Sequence, residues 1–106
     1  MREMSPQQVD EYLQTSSNKP LLLDVREPWE YEICHINDSE LIPMQTIPTH
    51  LNQLEKDQEI IVICHHGVRS RMVGQFLEQA EFKNIINLSG GVMAWAQDVD
   101  KNMPSY

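Results

Sequence analysis

The chain has 106 residues, 41% hydrophobic and 23% charged, and its 16 acidic against 8 basic side chains leave a net charge of -8. That length suits one domain with its own core, and the acidic balance excludes a nucleic-acid binder and electrostatic docking on an anionic membrane. No window approaches the roughly 18 apolar residues of a spanning helix, residues 1–8 hold no apolar signal-peptide core, and two cysteines, Cys34 and Cys64, are too few for a disulfide framework; a cytoplasmic protein is the expectation.

In chain order, Ser5, Pro6 and Gln8 form a helix start: an N-cap serine, proline at the first helical position and a glutamine to close a capping box. With Val9, Tyr12 and Leu13 at helical spacing, this predicts a helix over 6–14. A polar turn follows over 15–20. The apolar run 21–25 predicts a strand covered on both faces. A short helix is expected over 27–33, with Pro28 near its first turn, and a very short strand at 41–42. Pro48 breaks any long helix in the next segment, so a helix is placed over 49–54.

Ile60, Ile61, Val62 and Ile63 are four consecutive β-branched residues and the clearest strand in the chain. Met72, Val73, Phe76, Leu77 and Ala80 make one stripe of an amphipathic helix over 70–80. A last strand over 85–88, a turn at Gly90 and Gly91, and a helix over 92–96 carrying Trp95 complete the pattern. Apolar strands alternating with helices imply a parallel sheet with helices on both faces. Ligands on such sheets bind outside the carboxyl ends of the strands.

Cys64 sits at such an end, before His65, His66, Gly67, Val68 and Arg69, with Ser70 opening the helix. A short loop wrapped onto a helix N-terminus points backbone N–H groups into one concavity, a nest for anions. A cysteine at its centre is favoured as the thiolate. Gly67 permits the positive φ of a tight cradle. Arg69 and Arg71 bring two of only eight basic residues close to the thiol. A nucleophilic thiolate handling an anionic substrate is the sharp reading; a buried thiol acting as a small hydrophobe is the bland one. Zinc is disfavoured, because Cys34–His35 and Cys64–His65–His66 lack the spacing of zinc ligands.

The chain resembles a single-domain rhodanese, a thiosulfate-type sulfurtransferase, along nearly its whole length. The stretch Leu21 to Glu27 with Glu30, Tyr31 and Glu32 is similar to the family's first signature, and His35–Ile36 followed by Ile42–Pro43 to the next. Cys64 to Ser70 resembles the active-site loop, and Leu88 to Trp95 the C-terminal signature. The resemblance implies an α/β, three-layer domain over 1–106, with a short parallel sheet of about five strands and helices on both faces. Phosphatases and arsenate reductases on this fold carry five residues between cysteine and arginine. Here four lie between Cys64 and Arg69, which by resemblance is the sulfurtransferase loop and makes a phosphatase-like activity the minor reading.

The resemblance further implies that Cys64 takes a sulfane sulfur from thiosulfate or a similar donor and passes it to a thiol, cyanide or protein acceptor. The backbone of His65, His66, Gly67, Val68 and Arg69, with Ser70, would cradle the persulfide. Arg69 would supply an anion-binding charge, and His65 and His66 would bind donor anions or line the rim, with one of them at the rim. No cofactor is needed for that chemistry. Alternatives are a sulfur-carrier or redox module loaded by another protein, and a non-catalytic interaction domain, which the intact Cys64 disfavours. Asp24 and Arg26 are expected to fix turns and ion pairs, His35 to bond its own turn, Trp95 to pack in the core, and Met44, Met72 and Met93 to fill gaps or form an adaptable rim. Where the family has glycine, this chain has Cys34, either inert or a resolving thiol. Where it has a Gly-Ala pair, this chain has Asp38–Ser39, and aspartate tolerates a left-handed turn.

Overall fold

The computed structural model describes residues 1–106. Its strands are β1 (Arg2–Met4), β2 (Leu21–Asp24), β3 (Glu40–Leu41), β4 (Glu59–Ile63) and β5 (Asn84–Leu88). Its helices are α1 (Pro6–Thr15), α2 (Pro28–Ile33), α3 (Val68–Gln79) and α4 (Gly91–Asp98), with a 3₁₀ segment over Met44–Gln53. The strands form one parallel sheet in the order β1-β5-β4-β2-β3.

The β-branched run of β4 is central because both of its faces are covered. Ile60 and Val62 point toward α3 and the 3₁₀ segment, in a cluster with Leu23, Ile47, Val73, Leu77 and Ile85. Ile61 and Ile63 point the other way, toward α1 and α4, with Val9, Leu22, Ile86, Leu88, Val92 and Trp95. The alternation follows from the two-residue period of a strand. Trp95 is core packing, as expected.

Ser5 caps α1 as its sequence predicts: its hydroxyl accepts from the Gln8 N–H at 3.2 Å, and the Gln8 side chain accepts from the Ser5 N–H at 2.8 Å. Asp38 has φ 69, the left-handed turn that aspartate tolerates. His35 Nδ1 lies 2.8 Å from the Tyr31 carbonyl, so this histidine is bonded within its own turn.

Two elements differ from the sequence pattern. The helix expected over 49–54 is a 3₁₀ segment that starts earlier and runs through Pro48. Its turns close over three residues, as in Thr46 N–H to Pro43 O and Leu54 N–H to Leu51 O, so a missing proline N–H costs one bond without the ring clash of an α-helix. Nothing in the pattern marks β1. It is an edge strand with Arg2 and Glu3 exposed, aligned only by its pairing with β5.

Candidate active site

Cys64 follows directly on β4, at the carboxyl end of the central strand, and is 1% exposed. The chain turns through His65 and His66 to Gly67, whose φ of 99 lets α3 begin at Val68, two residues before the predicted start. A side chain at Gly67 would also meet Gly90 N at 3.0 Å and Leu88 O at 3.3 Å. The N-terminus of α4 holds the loop from behind: Val92 N–H donates to the Cys64 carbonyl at 2.9 Å and Met93 N–H to the His65 carbonyl at 3.1 Å. That approach requires glycine at position 91, where a Cβ would lie 2.3 Å from both carbonyl oxygens. With these carbonyls drawn toward α4, the Gly67 N–H reaches the Cys64 sulfur at 3.0 Å.

Beneath the sulfur lies a buried polar chain. Ser70 Oγ is 3.3 Å from Sγ and donates to Asn87 Oδ1 at 2.5 Å. Asn87 in turn donates through Nδ2 to the Gly67 carbonyl at 3.1 Å and to Glu3 at 2.9 Å. Ser70 and Asn87 are fully buried, and each is satisfied, as a buried polar group must be. Glu3 also accepts from Arg71 and Ser89. The Arg71 guanidinium is the main reason its carboxyl sits below the ordinary value.

Arg69 turns its fork onto Glu30, with Nη1 and Nη2 at 2.7 and 2.8 Å from the two carboxylate oxygens. That pairing, with the Glu27 N–H at 3.0 Å, holds the Glu30 carboxyl at about 2 despite its burial. Tyr106 donates to Glu30 at 2.9 Å and accepts from Arg26 at 2.8 Å. Burial pushes the Tyr106 phenol up to about 12. Burial works against the charge of Arg26, but Asp24 and Tyr106 offset it and keep the guanidinium above its ordinary value. Arg26 and Asp24 form a fully buried pair at 2.8 Å, and Arg26 also donates to the Cys34 carbonyl at 2.7 Å. The structural role expected of Asp24 and Arg26 holds.

His65 packs against Tyr106, ring centroids 4.1 Å apart. Burial, then the neighbouring His66, lowers its pKa. Its Nδ1 is buried without a partner. His66 is exposed, and so is Val68.

Of the predicted site residues, Cys64, Gly67 and Ser70 therefore meet at the sulfur, His65 and His66 flank it, and Arg69 is committed to Glu30. Cys34 and Cys64 are both free and lie in core clusters on opposite faces of the sheet. Sequence reasoning missed Asn87, Glu3, Tyr106, the Glu30 carboxylate as the partner of Arg69, and the close approach at Gly91. For Asn87 the signal was available: a polar residue inside the apolar strand 85–88 needs a partner once buried. No helix of the chain is long and apolar enough to cross a membrane.

Known proteins share this sequence pattern and this fold. The Rhodanese-like domain family matches residues 5–98. The probable adenylyltransferase/sulfurtransferase MoeZ of Mycobacterium tuberculosis is 33% identical over 97% of this chain, which spans only 26% of that relative's length. The putative sulfur carrier protein YrkF of Bacillus subtilis is 39% identical over 70% of this chain and 40% of its own. A crystal structure of a rhodanese-like domain protein from Staphylococcus aureus superposes with a TM-score of 0.83, at 33% identity, over 90% of this chain and 91% of that one. The chain belongs to the rhodanese-like domain family.

Proposed function

We propose that residues 1–106 act as one domain that transfers a sulfane sulfur through a persulfide on Cys64, from thiosulfate or a similar donor to a thiol, cyanide or protein acceptor. The observation that carries this reading is the Cys64 sulfur at the floor of a six-residue loop, 3.0 Å from the Gly67 N–H, with α4 holding the loop carbonyls away. Such a cradle suits a single sulfur atom, and it lacks the extra residue that the oxyanion-binding loops carry.

The Cys64 thiolate attacks the outer sulfur of the donor; with thiosulfate, the Sγ–S bond forms, the donor S–S bond breaks and sulfite leaves with the electron pair. The loop amides stabilise the charge on the terminal sulfur. An acceptor nucleophile then attacks that sulfur and the Cys64 thiolate returns, one difficult transfer being split into two. No cofactor takes part in these steps. Two unpaired cysteines fit a reducing compartment such as the cytoplasm.

The second reading is a carrier loaded by another protein, with little thiosulfate turnover. It is favoured by Arg69, whose charge is engaged by Glu30 and not left free for a small anion. Steady-state thiocyanate formation from thiosulfate and cyanide, with Cys64→Ser as control, separates the two. Turnover lost in the variant is the enzyme; loading by a partner without turnover is the carrier; neither would end both readings.

A further inference from the structure

The family match ends at residue 98, and the residues after it fold back toward the site. Val99 and Asp100 are still tied by their N–H groups to the Trp95 carbonyl, and Met103 to that of Asp100. Beyond Met103 the backbone makes no hydrogen bond within the chain. Every hydrogen bond of the segment 104–106 is made by the Tyr106 phenol.

That phenol sits between two opposite charges. Arg26 Nη1 donates to its oxygen at 2.8 Å, and its hydroxyl donates to Glu30 Oε1 at 2.9 Å. The Arg26 guanidinium carbon also lies 5.8 Å from the ring centroid, within reach of a cation–π contact. Arg26 is fully buried and Glu30 nearly so, whereas Tyr106 is 37% exposed. A side chain at the surface is thus anchored on two groups that are themselves fixed.

Both ends of this anchor lead to the Cys64 loop. Glu30 Oε1, which the phenol bonds, is the oxygen that Arg69 Nη2 holds at 2.8 Å. The Tyr106 ring lies against His65, the residue after Cys64, with centroids 4.1 Å apart. Pro104, Ser105 and Tyr106 close a cavity of about 10 Å³ with Cys34, His65 and Met93, room for one water at most. His65 Nδ1 is buried there without a partner. An unpaired buried atom is costly, so the charge-assisted bonds of the phenol must hold the ring over it.

We propose that Tyr106 is a positioning residue of the sulfur-transfer loop, a phenol latch that seats His65 and the Arg69–Glu30 pair while Cys64 is loaded. The inference rests on the sulfur-transfer reading above and adds a residue to it. The loop amides must keep their aim as charge gathers on the transferred sulfur. The N-terminus of α4 fixes the loop backbone, through Met93 N–H on the His65 carbonyl at 3.1 Å. Tyr106 fixes the side chains of His65 and Arg69. Its cover also favours a neutral imidazole: burial is the main cause that lowers the His65 pKa, with His66, Arg26 and Arg69 acting the same way and Glu30 against them.

The test is Tyr106→Phe, which keeps the ring and removes the latch, beside Tyr106→Ala. Because only the phenol oxygen is bonded, both variants should release the segment and keep the fold, which circular dichroism checks. Two quantities are read: the titration of the His65 imidazole by NMR, and the dependence of Cys64 sulfur loading on donor concentration, with thiosulfate or glutathione persulfide as the donor. The native imidazole should titrate below 6.5, and in both variants its pKa should rise toward that ordinary value. Loading at saturating donor should slow about tenfold in both, while the half-saturating concentration changes less than about threefold. A native-like titration of His65, or loading at the native saturating rate, in either variant overturns the proposal and leaves sulfur transfer standing. No sulfur gained by the native protein from either donor overturns the sulfur-transfer reading, and the proposal with it.

Discussion

Asn87 accepts the Ser70 hydroxyl at 2.5 Å directly beneath the loop that carries Cys64. The amide can face only one way. Its Nδ2 is fixed by two acceptors, the Gly67 carbonyl and the Glu3 carboxylate, so Oδ1 must meet Ser70. One buried side chain thus ties β5 to the left-handed glycine of the loop, to the first turn of α3 and to the edge strand β1.

Replacing it should be costly. Asn87→Ala orphans the Ser70 hydroxyl and a Gly67 lone pair, and should destabilise the fold by about 1–3 kcal/mol. Asn87→Asp should be worse, since a buried carboxylate would face Glu3 and a carbonyl. Urea unfolding checks both: the midpoint falls while the slope is unchanged.

The glycine behind the loop matters for a different reason. At Gly91, with φ 61, a Cβ would meet the carbonyls of Cys64 and His65 at 2.3 Å, both of them backbone atoms that cannot swing away. Gly91→Ala should therefore displace the loop and slow sulfur loading about a hundredfold. Gly74→Ala is the control: its nearest contact is the sulfur at the flexible end of Met1, and loading should be unchanged. Equal loading rates in the two variants would show that the loop does not depend on its contact with α4.

Much of this arrangement is legible in the sequence, because β4 and α3 are set by local patterns: a β-branched run, a glycine and an amphipathic stripe. The six-residue loop can be counted. What cannot be read is partnership at a distance. Arg69 and Arg71 look like free positive charge until Glu30 and Glu3 arrive from other elements. Likewise β1 has no apolar signature and exists as a strand only because β5 offers it an edge. The segment around Pro48 takes 3₁₀ turns where the pattern predicts a helix over 49–54, since three-residue turns tolerate a proline that an α-helix would not.

The Arg69–Glu30 pair also fixes the acid limb of stability. The Glu30 carboxyl titrates at about 2 in the folded chain against 4.5 in its ordinary state, so the folded state binds fewer protons. Its contribution is present above pH 4.5 and is lost as pH falls through that value toward about 2. With Arg69 36% exposed to solvent, it should amount to about 2 kcal/mol. The stability gap between the native protein and Glu30→Gln should close over that pH range; a constant gap would assign the pair no part in acid unfolding.

Cys34 should be silent in the chemistry. It lies across the sheet from Cys64, so Cys34→Ser should leave the loading rate within about twofold and cost about 1–3 kcal/mol of stability for a buried hydroxyl. Mild oxidation should yield no intramolecular disulfide, as judged by thiol counting under denaturing conditions; a Cys34–Cys64 bridge would instead identify Cys34 as a resolving thiol.

Intact mass spectrometry of the protein before and after exposure to a sulfane-sulfur donor shows whether Cys64 carries sulfur. A gain of one sulfur atom is expected, reversed by cyanide or thiol and absent in Cys64→Ser. An unchanged mass with every donor, or the same gain in the variant, would contradict it.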